Sequence, residues 1–392
     1  MDVYVLGGAR TPVGKFGGSL QPISTIELGA HAVRESLRRA KVAAEAIDVC
    51  VVGMARQAGN GPNPGRLVAL AADLPETTPA YTVQQACLSG MLAVISGFQS
   101  IRMGESRIAV AAGVEHMSHV PHLAFDLRWG TKFGNLSLVD GMYRDGFIDP
   151  TSGKHMGELC DLLAERYGLT RTEQDAYAAE SQRRWAQART SGAGNAILAP
   201  VPGKNGADKA MLEVDELPRP ESTAVALAKL RAAFRPEGTV TAGNACGIAD
   251  GSAALVLASE EAVKQLGVRP RVRIMGTAMA AVAPADYAIA PVASTRKLLA
   301  SLDMKIGDFD HVEINEAFAA QMLACIQDLA LDPVRVNPWG GAIAIGHPIG
   351  MSGTRVLLNV AHQLETLGGR FGLAAICGNG GQGATIALER VE

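Results

Sequence analysis

Two similar stretches stand out in the sequence: GGAIAIGHPIGMSG at residues 340–353 and QQACLSG at residues 84–90. In each of them, a Gly that is followed by Met lies at the start of a helix-like run. This Gly is Gly350 in the first stretch and Gly90 in the second, about 260 residues apart. Self-similarity at a fixed offset is typical of an internally repeated fold. The two stretches are therefore predicted to be equivalent strand-to-helix turns of two related halves.

The sequence around these turns repeats in the same order. Short apolar runs bounded by Gly alternate with amphipathic stretches, which predicts parallel strands joined by crossover helices and an α/β fold. The elements expected in the first half are residues 3–7, 48–53, 88–103 and 107–113. Those expected in the second half are residues 272–276, a helix from Ser294, residues 310–315 and residues 371–377. Chance similarity between Gly-punctuated strands is the alternative.

An insertion interrupts the first half. Between His119 and Gly243 the alternation breaks, and helices are expected only near residues 157–167 and 171–190. Thr170 and Glu173 form the pattern of a capping box at the start of the second helix. The resulting domain assignment is an N-terminal half at 1–118 completed by about 244–268, an insertion at 119–243 and a C-terminal half at 269–392.

The composition favours a packed protein with neither nucleic acid nor a membrane as a partner. The 392 residues are 48% hydrophobic and carry a net charge of −3, without the basic surface that holds a phosphate backbone. No window approaches the ~18 apolar residues of a membrane span. The six scattered cysteines predict free thiols. With neither a leader-like start nor a peroxisomal address, the sequence indicates a cytoplasmic location.

Three side chains stand out near the ends of predicted strands, where ligand sites of open α/β sheets gather. Cys87 precedes a helix whose dipole favours a thiolate, so it is a candidate nucleophile, although a small buried hydrophobe is the alternative. His347 lies in a Gly-rich turn and is a candidate base or donor, with a structural histidine as the alternative. Cys377 enters CGNGGQG, residues 377–383, a loop whose N–H groups suit a developing oxyanion.

A metal site is a further alternative. His116, His119 and His122 have an H-x-x-H-x-x-H spacing, but Pro121 interrupts any helix that could align them. No Cys or carboxylate pattern accompanies them. We therefore expect no metal.

These segments resemble the signature blocks of the thiolase family. NEAFAAQ, residues 315–321, and TVTAGNACGIADGSAALVL, residues 239–257, add two long matches, and the resemblance extends over essentially the whole chain. It implies the thiolase fold, in which two related βαβαβαββ-type half-domains form a five-layered αβαβα core and the insertion is a CoA-binding loop domain. It also implies a homo-oligomer, a dimer that commonly pairs into a tetramer.

The resemblance implies a role for each residue of the matched blocks. Cys87 would be the nucleophile that takes the acyl group from a first acyl-CoA, and His347 would activate its thiol. Cys377 would be the acid/base that removes an α-proton from the second acetyl-CoA. Asn315 would hold a water that forms one oxyanion hole with His347. This chemistry needs no cofactor besides the coenzyme A thioesters that serve as substrates.

Several positions depart from the family pattern. Leu88 follows the nucleophile where the family usually has Gly. Asn379 stands where a Gly N–H normally pairs with the Cys87 N–H in the second oxyanion hole, and we expect Asn to tolerate the positive φ of such a loop. Cys246 replaces a Ser that usually contacts pantetheine.

The resemblance also implies a substrate pocket. His155 and Met156 are similar to the His-Met-Gly of short-chain acetoacetyl-CoA thiolases, in which the Met closes the acyl pocket, and Phe318 would close another part. The expected substrate-binding residues are His155, Met156, Arg219, Ala242, Gly243, Cys246 and Phe318. Reversible condensation of two acetyl-CoA is therefore the expected reaction. A broad-range degradative 3-ketoacyl-CoA thiolase, a ketosynthase of the same fold and a non-catalytic scaffold are the alternatives.

Overall fold

The computed structural model describes residues 1–202 and 212–391; residues 203–211 of the expected insertion and Glu392 lie outside this description. The strands are β1 (Val3–Arg10), β2 (Gly14–Lys15), β3 (Val49–Gly53), β4 (Ala80–Val83), β5 (Ile108–His116), β6 (His122–Leu123), β7 (Val139–Asp140), β8 (Ala249–Ser259), β9 (Val272–Ala281), β10 (His311–Ile314), β11 (Phe371–Gly378) and β12 (Gln382–Arg390). The α-helices are α1 (Thr25–Ala40), α2 (Pro64–Ala71), α3 (Ser89–Arg102), α4 (Met156–Tyr167), α5 (Arg171–Ser191), α6 (Ala224–Leu227), α7 (Glu260–Leu266), α8 (Ala290–Leu302), α9 (Ala319–Leu329), α10 (Ala342–Ile345) and α11 (Ile349–Thr366).

The main sheet runs in the order β4-β3-β5-β8-β1-β9-β12-β11-β10, and β2 pairs with β8. The two halves of this sheet meet where residues 3–5 of β1 pair antiparallel with β9. Val336 pairs in parallel with β10, as β4 pairs in parallel with β3. Both halves therefore share one strand order, and the repeat read from the sequence is a repeat of topology.

Helices divide the molecule into five layers. α1 and α2 pack on the outer face of the N-terminal half of the sheet, and α8 and α9 pack in the C-terminal half. Between the halves lie α3 and α11, which contact each other, while α11 contacts strands of both halves. The resulting order is αβαβα, with an apolar core on each side of each half-sheet.

The central helices approach each other through glycines near their N-termini. A Cβ on Gly90 would lie 2.5 Å from the carbonyl oxygen of Gly350, so only glycine fits at this crossing. Thr354 Oγ1 donates a hydrogen bond of 2.9 Å to the Gly90 carbonyl. The repeated Gly-Met step is thus the contact between α3 and α11, and it brings their N-terminal turns together.

Local signals located most helix starts. Thr170 and Glu173 form the full reciprocal capping box of α5, as predicted. Ser24 accepts a hydrogen bond from the N–H of Glu27 at the start of α1. The helix expected from Ser294 begins earlier, at Ala290, because Pro291 occupies its first turn. No helix in the described ranges is both long and apolar enough to cross a membrane.

Candidate active site

Cys87 lies in a tight turn between β4 and α3. Ala86 has a φ of +47°, in the left-handed region that a non-glycine residue rarely adopts. The turn is held by the Gln85 N–H, which donates to Ser89 Oγ at 2.9 Å. Ala86, directly before the Cys87 thiol, is thus strained, and Ser89 at the start of α3 holds the turn in place. Such strain is typical of a position under functional constraint.

Cys87 is half-buried, and desolvation of its thiol raises the pKa to about 11. The Arg56 guanidinium opposes this shift, as do the nearby backbone N–H groups of Asn379 and of Cys87 itself. The thiolate favoured by the helix dipole is therefore not the resting form, because desolvation outweighs the helix terminus. Removal of the thiol proton needs a base.

The hydrogen bond between His347 and Ser352 holds His347 as a neutral base. The Ser352 hydroxyl donates to the Pro348 carbonyl at 2.9 Å, so its oxygen accepts from His347 Nδ1, 2.6 Å away. The Nδ1 atom therefore carries the proton, and Nε2 keeps its lone pair. Burial, assisted by the charges of Arg355 and Arg56, lowers the pKa of His347 to about 3.

Asn315 presents its amide to this imidazole. Its Nδ2 lies 3.4 Å from His347 Nε2, and its Oδ1 accepts a hydrogen bond of 2.9 Å from Arg355. Arg355 is fully buried and lies 4.0 Å from the carboxylate of Glu313. Because Arg355 can only donate, it fixes the orientation of the Asn315 amide.

Cys377 ends β11 in the same buried region. Burial raises the pKa of its thiol far above the ordinary range, and the neighbouring thiols Cys87, Cys325 and Cys160 add to the shift. Its side chain packs in one cluster with Phe318. The structure therefore brings Cys87 and Cys377 together as two protonated thiols.

The loop after Cys377 differs from expectation at Asn379. Gly380 and Gly381 have φ of +81° and +78°, whereas Asn379 is absent from the left-handed region. Its backbone N–H lowers the pKa of the nearby Cys87 thiol and needs no strained positive φ to do so. Its side-chain Nδ2 donates to the carbonyl of Gly146 at 3.1 Å, which ties the loop to the insertion.

The residues expected to bind the acyl group form an aromatic wall. The His155 ring stacks on Phe234 with centroids 4.5 Å apart, and Phe234 meets Phe318 edge-on at 6.1 Å. Met156 packs in the same cluster as Phe318, and its carbonyl accepts from the Tyr287 hydroxyl at 2.9 Å. This side of the site is apolar and closely packed.

Cys246 lies beside the reactive thiols. Its N–H donates to the Ala317 carbonyl at 3.0 Å, within the segment that follows Asn315. Burial raises the pKa of the Cys246 thiol to about 12, and the nearby Cys87 contributes to the shift. A neutral thiol at this position is a weak donor compared with the serine hydroxyl that it replaces.

The other residues expected to bind the substrate lie nearer the protein surface than Cys87 does. Arg219 and Ala242 are exposed, and Gly243 packs against Leu227 and Leu230. The backbone N–H of Arg219 donates to Gln182 at 2.9 Å. These residues are thus separate from the buried group around Cys87 in this structure.

Of the three histidines with regular spacing, His116 and His119 stack on each other with ring centroids 3.7 Å apart, and each also contacts a backbone carbonyl. His116 Nε2 lies 3.1 Å from the Leu20 carbonyl, and His119 Nε2 lies 2.7 Å from the Gln21 carbonyl. Among the residues described, no group of three or more His, Cys, Asp or Glu side chains has a metal-binding arrangement. The first two histidines therefore serve local structure.

Sequence reasoning missed four buried charged residues that shape the site: Arg56, Glu115, Glu313 and Arg355. Glu115 and Arg355 are fully buried, although each lies within an otherwise apolar strand or helix. A charge within an apolar run is costly unless it has partners, so this pattern was the available signal.

Comparison with known proteins identifies the family. The family model described as "Thiolase, N-terminal domain" matches residues 3–261, and "Thiolase, C-terminal domain" matches residues 268–390. The chain belongs to the thiolase family. It is accordingly an acyltransferase enzyme with the thiolase fold. The rival reading as a ketosynthase is wrong, because both thiolase models match.

Full-length relatives carry more than one substrate name. The chain is 42% identical over 392 residues to an acetyl-CoA acetyltransferase of Chromobacterium violaceum, with 100% of both proteins covered. It is also 42% identical over 400 residues to a beta-ketoadipyl-CoA thiolase of Pseudomonas aeruginosa, covering 100% of this chain and 99% of the relative. These relatives therefore show that the chain is a thiolase, while their names give more than one acyl-CoA substrate.

Solved structures agree on the fold. The Bacillus anthracis acetyl-CoA acetyltransferase matches with a TM-score of 0.97 at 38% identity, over 100% of this chain and 99% of that one. The human mitochondrial 3-ketoacyl-CoA thiolase in complex with CoA matches with a TM-score of 0.96 at 35% identity, over 100% and 98%.

Proposed function

We propose that this thiolase condenses two acetyl-CoA molecules to acetoacetyl-CoA and CoA, and catalyses the reverse thiolysis, through an acetyl-Cys87 intermediate. The observation that carries the proposal is the surroundings of Cys87. The backbone N–H groups of Asn379 and of Cys87 itself lower the pKa of its thiol, the Cys377 thiol lies close to it, and the charge of Arg56 acts on both Cys87 and the neutral His347. The acetyl-CoA acetyltransferase names of several relatives support the two-carbon acyl group.

In the first half-reaction, the Cys87 sulfur attacks the thioester carbonyl while His347 Nε2 takes the thiol proton. The N–H groups of Cys87 and Asn379 stabilise the oxyanion, and each such donor is worth ~10²–10³-fold in rate. The bond to CoA then breaks, and the Cys377 thiol protonates the leaving sulfur. The products are acetyl-Cys87, free CoA and a Cys377 thiolate.

In the second half-reaction, the Cys377 thiolate removes an α-proton from another acetyl-CoA. Burial that raises the thiol pKa also makes this thiolate a strong base. Protonated His347, together with a water held by Asn315, stabilises the enolate oxygen. The enolate carbon attacks the acetyl carbonyl, the bond to Cys87 breaks, and Cys87 recovers its proton from His347.

Further properties belong to the same proposal. The reaction needs no metal or redox cofactor, because two thiols and one imidazole supply every proton transfer. We also propose a homo-oligomer, a dimer or tetramer, that works in the cytoplasm on acyl-CoA substrates of fatty acid metabolism. The direction of flux depends on metabolite levels, since a catalyst accelerates both directions.

We expect acetoacetyl-CoA to be the best substrate among 3-ketoacyl-CoA thioesters with plain alkyl tails. Met156 and Phe318 share one packed cluster with Cys377, so a longer tail would overpack it at a cost of ~1–3 kcal/mol. The measurement is kcat/KM for thiolysis of chains from about four to about sixteen carbons, with a gradual decline expected because each methylene is worth ~1–3 kcal/mol.

The same series tests the alternatives. A maximum at about eight carbons or more would assign the chain to the broad-range 3-ketoacyl-CoA thiolases, a reading that the human mitochondrial neighbour supports. Absence of thiolysis at every chain length would overturn the proposed function and leave a thiolase-like scaffold.

We expect Asn379→Gly to keep substantial activity. The proposed contribution of Asn379 is its backbone N–H, which glycine retains, and only the side-chain bond to Gly146 is lost. Asn379→Ala is the matched control, because the negative φ suits alanine and the same side-chain bond disappears. A fall in kcat of ~10³-fold in both variants, the range for loss of one oxyanion donor, would show that the Asn amide itself takes part in the chemistry.

A further inference from the structure

Five buried polar side chains form a row between α11 and β10, which pack against each other. Arg355, Asn359 and Gln363 are spaced four residues apart along α11, so they share one face of the helix. Glu313 and Asn315 are two residues apart, on one face of the strand, where the Asn315 N–H still pairs with a carbonyl of β11 at 3.0 Å. Each of the five residues is at most 7% exposed. This polar row ends at Asn315 in the active site.

Direct contacts join the members of the polar row. Gln363 Nε2 donates to the Glu313 carboxylate at 2.6 Å, and Asn359 Nδ2 donates to it at 3.4 Å. Arg355 Nη1 lies 4.0 Å from Glu313 Oε2, while Arg355 Nη2 donates to Asn315 Oδ1 at 2.9 Å. Glu313 is therefore held by two amides of α11 and lies beside the arginine that contacts Asn315.

The ion pair in the polar row is a poor source of stability. Both partners are fully buried, and Arg355 Nε and Nη1 have no hydrogen-bond partner among the residues described. Burial opposes both charges, because it raises the pKa of Glu313 to about 7 and lowers the pKa of Arg355. A buried pair with unsatisfied N–H groups recovers little of its desolvation cost. The consequence of the pair therefore lies in what it contacts, the Asn315 amide.

The Asn315 amide suits the enolate step in one orientation only. With Oδ1 toward Arg355, its Nδ2 lies 3.4 Å from His347 Nε2 and offers N–H groups to the water of the proposed mechanism. A flipped amide would set Nδ2 against the Arg355 guanidinium, donor against donor, and would turn the Oδ1 lone pairs toward the developing negative charge. The flip would thus lose a charge-assisted hydrogen bond and destabilise the enolate oxygen.

The two half-reactions depend on different oxyanion donors. In the proposed acyl transfer, the donors are the backbone N–H groups of Cys87 and Asn379, in the turn before α3 and the loop after β11. Their direction is set by the backbone and does not depend on the Asn315 amide. An error in the orientation of Asn315 should therefore affect the enolate step and leave acyl transfer intact.

We propose that Arg355, held in place by Glu313, is a positioning residue for the enolate step, because it keeps the N–H groups of Asn315 directed toward the oxyanion. Both residues of the ion pair act through Asn315. The inference rests on the proposed function. It assigns supporting residues to the second half-reaction and leaves the bonds that form and break unchanged.

The first test removes the donor to Asn315. Arg355→Met fills part of the buried space without an N–H group. We expect kcat for condensation of acetyl-CoA to fall by about 10²-fold, the scale of one oxyanion donor, while acetyl transfer to Cys87 stays within about threefold of the parent. Arg355→Lys should recover part of the loss, since it keeps a charged donor. Equal losses of acetyl transfer and condensation would overturn the inference.

A companion variant covers the case in which Arg355→Met does not fold. Arg355→Met combined with Glu313→Gln removes both charges at similar volume, a change that is often neutral for stability when an ion pair is buried. Because the donor to Asn315 is again absent, this variant should show the same separation of condensation from acetyl transfer. Normal condensation in it would overturn the inference.

A double-mutant cycle shows whether Arg355 acts through Asn315. In an Asn315→Ala background, Arg355→Met should lower condensation by no more than about threefold further, because the amide that it positions is gone. A merely structural role would instead give effects that multiply, and that result would reject the inference. The same cycle can be measured with the charge-free companion variant.

Asp215→Asn is the matched control. Asp215 forms another buried ion pair, 2.6 Å from Arg10, outside the polar row. The ratio of condensation to acetyl transfer should equal that of the parent. A ratio lowered as much as in Arg355→Met would show that loss of any buried charge affects the enolate step, which would reject the specific role of Arg355. Absence of both acetyl transfer and condensation in the parent enzyme would instead reject the proposed function itself.

Discussion

Cys87→Ala should lose both condensation and thiolysis, with a fall in kcat of about 10⁴-fold or more, the scale seen when a covalent nucleophile is removed. Cys87 is the thiol whose pKa is lowered by two nearby backbone N–H groups, its own and that of Asn379. Cys377 cannot replace it, because the pKa of its buried thiol is far above the ordinary range.

The measurement is mass spectrometry of the parent enzyme and the variant after incubation with acetyl-CoA. We expect one acetyl adduct on Cys87 in the parent and no adduct in Cys87→Ala. Cys50→Ala is the matched control, because Cys50 is also buried but belongs to the outer core of the N-terminal half, and its variant should acetylate normally. Acetylation confined to another cysteine would refute the nucleophile assignment.

The fold could be predicted from local sequence, because its helices and strands have recognisable local sequence patterns. The capping box at Thr170 located α5, and the strands at residues 48–53 and 371–377 were apolar runs bounded by polar or Gly-containing sequence. The repeated Gly-Met step also predicted a three-dimensional contact. Only glycine permits the close approach of α3 and α11, so Gly90 and Gly350 are tied to the architecture.

The contacts that support the site could not be predicted from local sequence patterns, because they join residues that lie far apart in the sequence. Arg355 orients Asn315 across 40 positions, and Glu115 binds Gly350 across 235. The raised pKa of the Cys87 thiol could not be predicted from the sequence for the same reason. The helix terminus is visible in the sequence, whereas the desolvation that outweighs it depends on packing from both halves.

Overall similarity does not distinguish the two substrate names found among the relatives. The relatives named acetyl-CoA acetyltransferase and beta-ketoadipyl-CoA thiolase are equally similar to this chain at 42% identity. Overall identity therefore does not reveal which acyl chain the enzyme prefers.

Cys377→Ala should separate the two half-reactions. Attack by Cys87 on acetyl-CoA needs His347 Nε2 and the two N–H donors, all of which remain in the variant. We expect acetyl-Cys87 to form, slowed by loss of the proton that Cys377 gives to the leaving CoA. Condensation should fall much further, by about 10⁴-fold or more, because the base for the α-carbon is gone.

Two assays on one preparation measure this separation: acetyl transfer to Cys87 followed by mass spectrometry, and acetoacetyl-CoA formation at steady state. Cys325→Ala is the matched control, since Cys325 is a fully buried thiol near Cys377 that has no role in the proposed mechanism. It should retain both half-reactions. If acetyl transfer in Cys377→Ala falls by as much as turnover, Cys377 acts mainly in acylation, and the α-proton must go to another base. The protonated resting state of Cys377 argues against that outcome, because the thiolate that takes the α-proton is generated by the departure of the first CoA.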